Sequence, residues 1–175
     1  MTVFLWMLGT LSSFCLMAVG VRELSGEIHT FQMLFFRSVI GLVVIASILL
    51  LRKQTALVKT HRLKLHSTRN VFHFFGQFGW FIGIALMPLA NVFALEFTAP
   101  IWTLLIASIF LGESLTRKKV TSLVLALVGV LIILKPGGEL FDPVSLVVLM
   151  AAFSYAVSYV STKALTSTEH VLTIL

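Results

Sequence analysis

Two residues of opposite charge stand where charge is costly. Glu96 lies in "NVFALEFTAPIWTLLIASIFLGE" (91–113) and Arg37 in "FQMLFFRSVIGLVVIASILL" (31–50), and both runs are otherwise apolar and long enough to cross a bilayer. Near the centre of a spanning helix such a side chain costs about 2.5–3.5 kcal/mol, whereas each Leu, Ile or Phe returns only about 0.3–0.6 kcal/mol. The carboxylate therefore needs a counter-charge, a proton or water. Arg37 sits about eight residues into its run and Glu96 about five into its own, so at 1.5 Å per residue their depths differ by about 5 Å. The leading expectation is an Arg37–Glu96 ion pair between two helices running the same way, serving as a packing clamp or as the lining of a water-filled cavity.

Other polar groups accompany these two. Pro100, one turn after Glu96, removes a backbone donor and frees the Glu96 carbonyl. With Ala99, Thr103 and Ala107 it makes a small, weakly polar stripe, suited to close helix packing or to a bend beside a cavity. His73 and Gln77 share a helical face with Trp80 one turn on, beside a groove of Gly76, Gly79 and Gly83 that matches the small-xxx-small packing pattern. Ser154, Ser158 and Ser161 form a stripe flanked by Tyr155 and Tyr159. The candidates for contact with a solute are Glu96, Arg37, Gln77, Trp102 and Tyr155. Glu96 would be ion partner or proton acceptor, Arg37 its mate or an anion contact, and the other three hydrogen-bonding or stacking walls.

No catalytic set accompanies them. Cys15 is the lone cysteine, and His61 and His66 lie among cations that discourage a metal. Nucleophile-elbow, zinc-protease and phosphate-loop motifs are all missing. The expectation is a protein that is not an enzyme, with no cofactor and no metal.

The elements that must position these residues are helical. Hydrophobic residues make up 58% of the chain, charged ones 11%, and mean hydropathy is +1.04, which no soluble core of this size could bury. Long apolar runs without strict alternation exclude an outer-membrane barrel. They place spans at about 3–21, 29–51, 70–87, 91–112, 120–134 and 143–163. The fold class is all-α: a polytopic transmembrane helix bundle of about six spans plus the start of a seventh. A seventh run opening at the last residues points to a piece of a longer protein.

The basic residues orient the bundle. Alternate loops carry nine Lys and Arg (52–69 and 117–119) against two, Arg22 and Lys135, on the opposite side. The positive-inside rule puts the N-terminus and the basic loops in the cytoplasm of a plasma membrane, a bacterial inner membrane by expectation. Those loops suit anionic lipid headgroups rather than nucleic acid. An odd number of spans before the sixth means that a second unit would be inverted. Residues 13–34 can be laid on 154–175, with Ser13 on Ser154, Arg22 on Lys163, Leu24 on Leu165 and His29 on His170. Inverted repeats around a midplane site are a transporter device.

The stretch "PLANVFALEFTAPIWTLLIASIFLGESLTRKKVTSLVLALVGVLIILKPG" (88–137) resembles the EamA-type drug/metabolite transporter superfamily. The resemblance rests on Pro100, on Leu111, Gly112 and Glu113 closing the run, on the short basic turn and on "GVLIILKPG"; it extends more loosely over the chain, including "FFRS". It implies two inverted five-helix repeats, ten spans in all, around a cavity that opens alternately to each side. Here 1–137 would be the first repeat and 138–175 the truncated start of the second, whose missing remainder would be a partner. The implied function is that of a secondary transporter for a small metabolite, amino acid or drug, with proton coupling left open. The rival readings are a non-transporting assembly or receptor protein whose polar groups only join helices, and a dual-topology exporter, which the strong charge bias opposes.

Overall fold

The computed structural model describes residues 2–134 and 142–174. The expected repeat boundary at 137/138, with Lys135 and Glu139 beside it, lies outside the described residues. Regular structure among the described residues is helical throughout: α1 (Thr2–Leu24), α2 (Thr30–Leu51), a 3-10 turn (Thr55–Val58), α3 (Leu63–Leu86), α4 (Leu89–Glu96), α5 (Ala99–Leu111), α6 (Arg117–Leu134), α7 (Pro143–Thr166) and α8 (Val171–Ile174). The chain is a polytopic all-α bundle. By length and composition, α1, α2, the α4–α5 segment and α7 are each apolar enough to cross a membrane. The remaining expected spans fall on α3 and α6, whose first turns carry Lys64 and Arg117–Lys119.

Local sequence explains the boundaries. His29 caps α2: its Nδ1 accepts from the Phe31 N–H, and the Gln32 side chain reaches back to the His29 N–H, so two orphan donors are satisfied reciprocally. Gly112, at φ 66°, ends α5 in the left-handed conformation that glycine adopts without steric cost. Pro143 opens α7, where its missing N–H costs nothing. One expectation is corrected here. The predicted span 91–112 is two helices, α4 and α5, broken at Phe97 and Thr98, because Pro100 has no N–H to offer the Glu96 carbonyl.

The core is the seam between α3 and α7, the most extensive helix contact in the molecule. Three glycines of α3 let it close. The Tyr155 ring lies where a Cβ on Gly76 would stand, 2.9 Å from its Cδ1; Ala151 Cβ and the Val147 carbonyl occupy the space beside Gly79; and Val148 Cγ2 fills that beside Gly83. Lipid tails are as apolar as leucine, so backbones brought this close gain dispersion contact that bulkier residues would forfeit. The glycine groove read in the sequence is thus an α7-binding surface.

Hydrogen bonds define two ends. At the basic end, Arg62 Nη1 donates to the Ala164 carbonyl (2.9 Å) and to Thr168 Oγ1 (3.1 Å), while Thr60 and His66 both bind the Glu169 carboxylate. Glu113 there accepts from Lys119 at 3.0 Å and from Lys163. At the other end, Arg22 donates to the carbonyls of Ala85 and Met87. The loops joined by these bonds therefore lie at two separate ends of the bundle.

The junctions after α1 and α7 also share a hydrogen-bond pattern at a spacing of 141 residues. Glu27 and Ile28 donate to the Leu24 carbonyl as Thr168 and Glu169 donate to that of Leu165. Gln32 and Met33 donate to the His29 carbonyl as Thr173 and Ile174 donate to that of His170. Both imidazoles accept at Nδ1, from Phe31 and Leu172 respectively, each at 3.2 Å.

Candidate functional site

Glu96 is the last residue of α4, at the break where the chain turns through Phe97 and Thr98 into α5. At the end of α4, Thr98 Oγ1 donates to the Leu95 carbonyl (2.7 Å), and within α5 Thr103 Oγ1 bonds back to the carbonyl of Ala99 (2.8 Å). The half-buried Glu96 carboxylate points at α3: Trp80 Nε1–H donates to its Oε2 at 2.7 Å. That indole is 1% exposed and is wedged between Phe14 of α1 (ring centroids 5.1 Å) and Phe93 of α4 (6.2 Å). Three helices therefore fix the donor that meets the Glu96 carboxyl.

The expected Arg37–Glu96 ion pair is not formed. The ion pairs among the described residues are His66–Glu169, Lys119–Glu113 and Lys163–Glu113. Similar depth was not enough, because α2 packs on α3 rather than on α4, and it is the Trp80 indole of α3 that meets the acid. Arg37 is exposed and lines a groove of about 540 Å³ between α1 and α2, with Thr10, Ser13, Phe14 and Met17. Phe14 has one side on this groove and touches Trp80, so a single ring separates Arg37's groove from the Trp80–Glu96 pair.

The other sequence candidates divide between this site and its edges. Gln77, 7% exposed, lies one turn before Trp80 on the same helix. Tyr155 is buried on the α3–α7 seam over Gly76; its ring faces His73 edge-on at 5.8 Å and stacks on Tyr159 at 5.9 Å. Trp102 stands apart, edge-on to Phe153 at 5.5 Å and more than a third exposed. Trp80, read in the sequence only as a neighbour of Gln77, is the residue that reasoning missed.

A larger cavity of about 680 Å³ runs beside α5. The stripe of Ala99, Pro100, Thr103 and Ala107 lines it, so the proline bend does lie beside a cavity. Its basic-end mouth holds Glu113, Lys119 and Lys163. The two lysines hold the Glu113 carboxyl below the usual range, as Thr60 and His66 do for that of Glu169. His66, expected among discouraging cations, is thus partner to the Glu169 carboxylate rather than a free loop imidazole.

Residues 1–135 match the EamA-like transporter family. The chain belongs to that family. Among curated EamA-type relatives, it is 29% identical over 170 residues to the S-adenosylmethionine uptake transporter of Rickettsia bellii (strain RML369-C), covering 97% of this chain and 58% of that protein. It is 32% identical over 135 residues to the riboflavin transporter of Brucella anthropi, covering 77% of this chain and 47% of the relative. The pseudopaline exporter of Pseudomonas aeruginosa (strain PAO1) is 28% identical over 159 residues, with 90% and 55% covered. The chain therefore spans about half the length of these relatives. No solved structure matches it.

Proposed function

We propose that the protein works as part of a secondary transporter that carries a small organic metabolite across the plasma membrane by alternating access. The N-terminus and the basic end face the cytoplasm, and two inverted units meet near 137/138. The recurring hydrogen bonds after α1 and α7 support the second unit. The relatives are named for three different cargoes and for both uptake and export, which favours small-metabolite transport as a class without selecting a substrate or a direction. No nucleotide-binding motif points to ATP as the driving force.

The observation that carries this reading is the Trp80–Glu96 pair at a broken helix. Among the described residues, this half-buried carboxylate has one neutral donor and no cation within ion-pair distance, so it is poised to take a proton or a polar group of the cargo. Trp80 positions it, Gln77 and Tyr155 form nearby walls, and Arg37 offers an anion contact from the adjoining groove. Trp102 is an outer wall contact at the α5–α7 edge.

The test is metabolite profiling of cells expressing the intact gene against vector controls, repeated with Glu96→Gln and Trp80→Phe at matched membrane levels. The reading predicts at least one compound whose accumulation changes with the wild-type gene and reverts with Glu96→Gln. A Glu96→Gln profile identical to wild type would overturn the role given to the carboxylate.

A further inference from the structure

We propose that the slot between α5, α6 and α7 is a binding site for an anionic phospholipid of the basic-end leaflet, its acyl chain in the slot and its phosphate on Lys118 and Lys119. The slot exists because α6 packs mainly on α4 rather than on its chain neighbour α5, although only residues 112–116 join them. Its walls are mostly small or aliphatic, among them Ala99, Ala107, Leu123, Ala126 and Val160, with Thr103, Ser122 and Tyr159 beside them. A slot of about 680 Å³ with such walls, flanked by the exposed Val124, Leu127 and Val128 of α6, has the room and the apolar surface to take an acyl chain.

The mouth gives the headgroup its sign. Three ammonium groups, Lys118, Lys119 and Lys163, line it against the single carboxylate of Glu113, which already divides its oxygens between Lys119 and Lys163. Lys118 has no carboxylate partner among the described residues. The mouth is left with two uncompensated positive charges where the slot meets the interface, and an acyl chain with an anionic phosphate complements both parts at once. The site needs only that the bundle is embedded in a bilayer and does not depend on the proposed cargo, although its Tyr159 wall stacks on Tyr155.

Native mass spectrometry of the intact protein tests it, with phosphatidylglycerol and phosphatidylcholine of identical chains, and with glycerol phosphate as the headgroup alone. Expected are preferential retention of phosphatidylglycerol and a loss of about tenfold or more in Lys118→Gln/Lys119→Gln, at about 1 kcal/mol per basic residue. The Arg pair should retain the lipid, and Ala126→Phe, which plugs the slot while keeping the charges, should lose it. Equal retention of both lipids, or unchanged binding in the Gln pair, would overturn the proposal. Full displacement by glycerol phosphate would also overturn it, by showing an anion site that makes no use of the slot.

Discussion

Trp80 and Glu96 stand almost equally far from the turn that joins α3 to α4, and the indole N–H of one donates to Oε2 of the other at 2.7 Å. Trp80 is six residues before Leu86, the end of α3, and Glu96 seven after Leu89, the start of α4. Antiparallel helices joined by so short a turn place such residues at one height. The acid is thus held by its own hairpin, which leaves Arg37 free to line a separate groove.

Removing the donor while keeping a ring should expose this arrangement. Trp80→Phe retains aromatic packing against Phe14 and Phe93 but leaves the carboxylate without its hydrogen bond. A loss of about 1.5–3 kcal/mol is expected, read by denaturation in detergent. Glu96→Gln should cost less, because an amide oxygen still accepts from the indole. Equal stability of Trp80→Phe and wild type would show that the bond contributes nothing.

The glycine seam makes a steric prediction. A methyl at position 83 would collide with Val148, which is fully buried and stiff at χ1, so Gly83→Ala should destabilise the bundle by about 1–3 kcal/mol. Gly83→Ala/Val148→Ala should recover part of that loss. If the double variant is worse than both singles by simple addition, α3 and α7 do not meet there.

The Glu113 cluster predicts a pH dependence. Its carboxyl is held below the ordinary range by hydrogen bonds from Lys163 and Lys119. A group whose folded pKa is depressed stabilises above its unfolded value, about 4.3 for Glu, and loses that contribution as pH falls through the lower folded value. The melting difference between wild type and Glu113→Gln should stay level from pH 7 to about 5 and shrink below about 4.3. A difference that grows on acidification would reverse the sign and refute the pairing.

Much of this fold was legible from hydropathy alone, because long apolar runs and asymmetric basic loops are properties of composition. The α3 glycine groove was legible too, since Gly76, Gly79 and Gly83 recur at helical spacing. What covered it was not: α7 is distant in sequence, and nothing in a groove names its occupant. The Arg37–Glu96 expectation failed because depth fixes height but not which helices are neighbours. The Trp80–Glu96 pair had a readable signal, equal distance from the Met87–Pro88 turn, but that signal requires comparing antiparallel neighbours rather than parallel ones. The helix break at Phe97 was only half legible, as a proline can kink a membrane helix without ending it.

Orientation can be checked with impermeant maleimide on intact cells in a Cys15→Ser background. Glu27→Cys should label from outside, and Lys59→Cys only after permeabilisation. The opposite pattern would invert the proposed topology.

The most direct test of the central claim is a transport cycle in the full-length protein, using a compound found by profiling: wild type, Trp80→Phe, Glu96→Gln and the double variant at matched expression. If the indole acts by holding the carboxylate, the double variant should lose no more transport than Glu96→Gln alone. Losses that multiply, or full transport in Glu96→Gln, would contradict it.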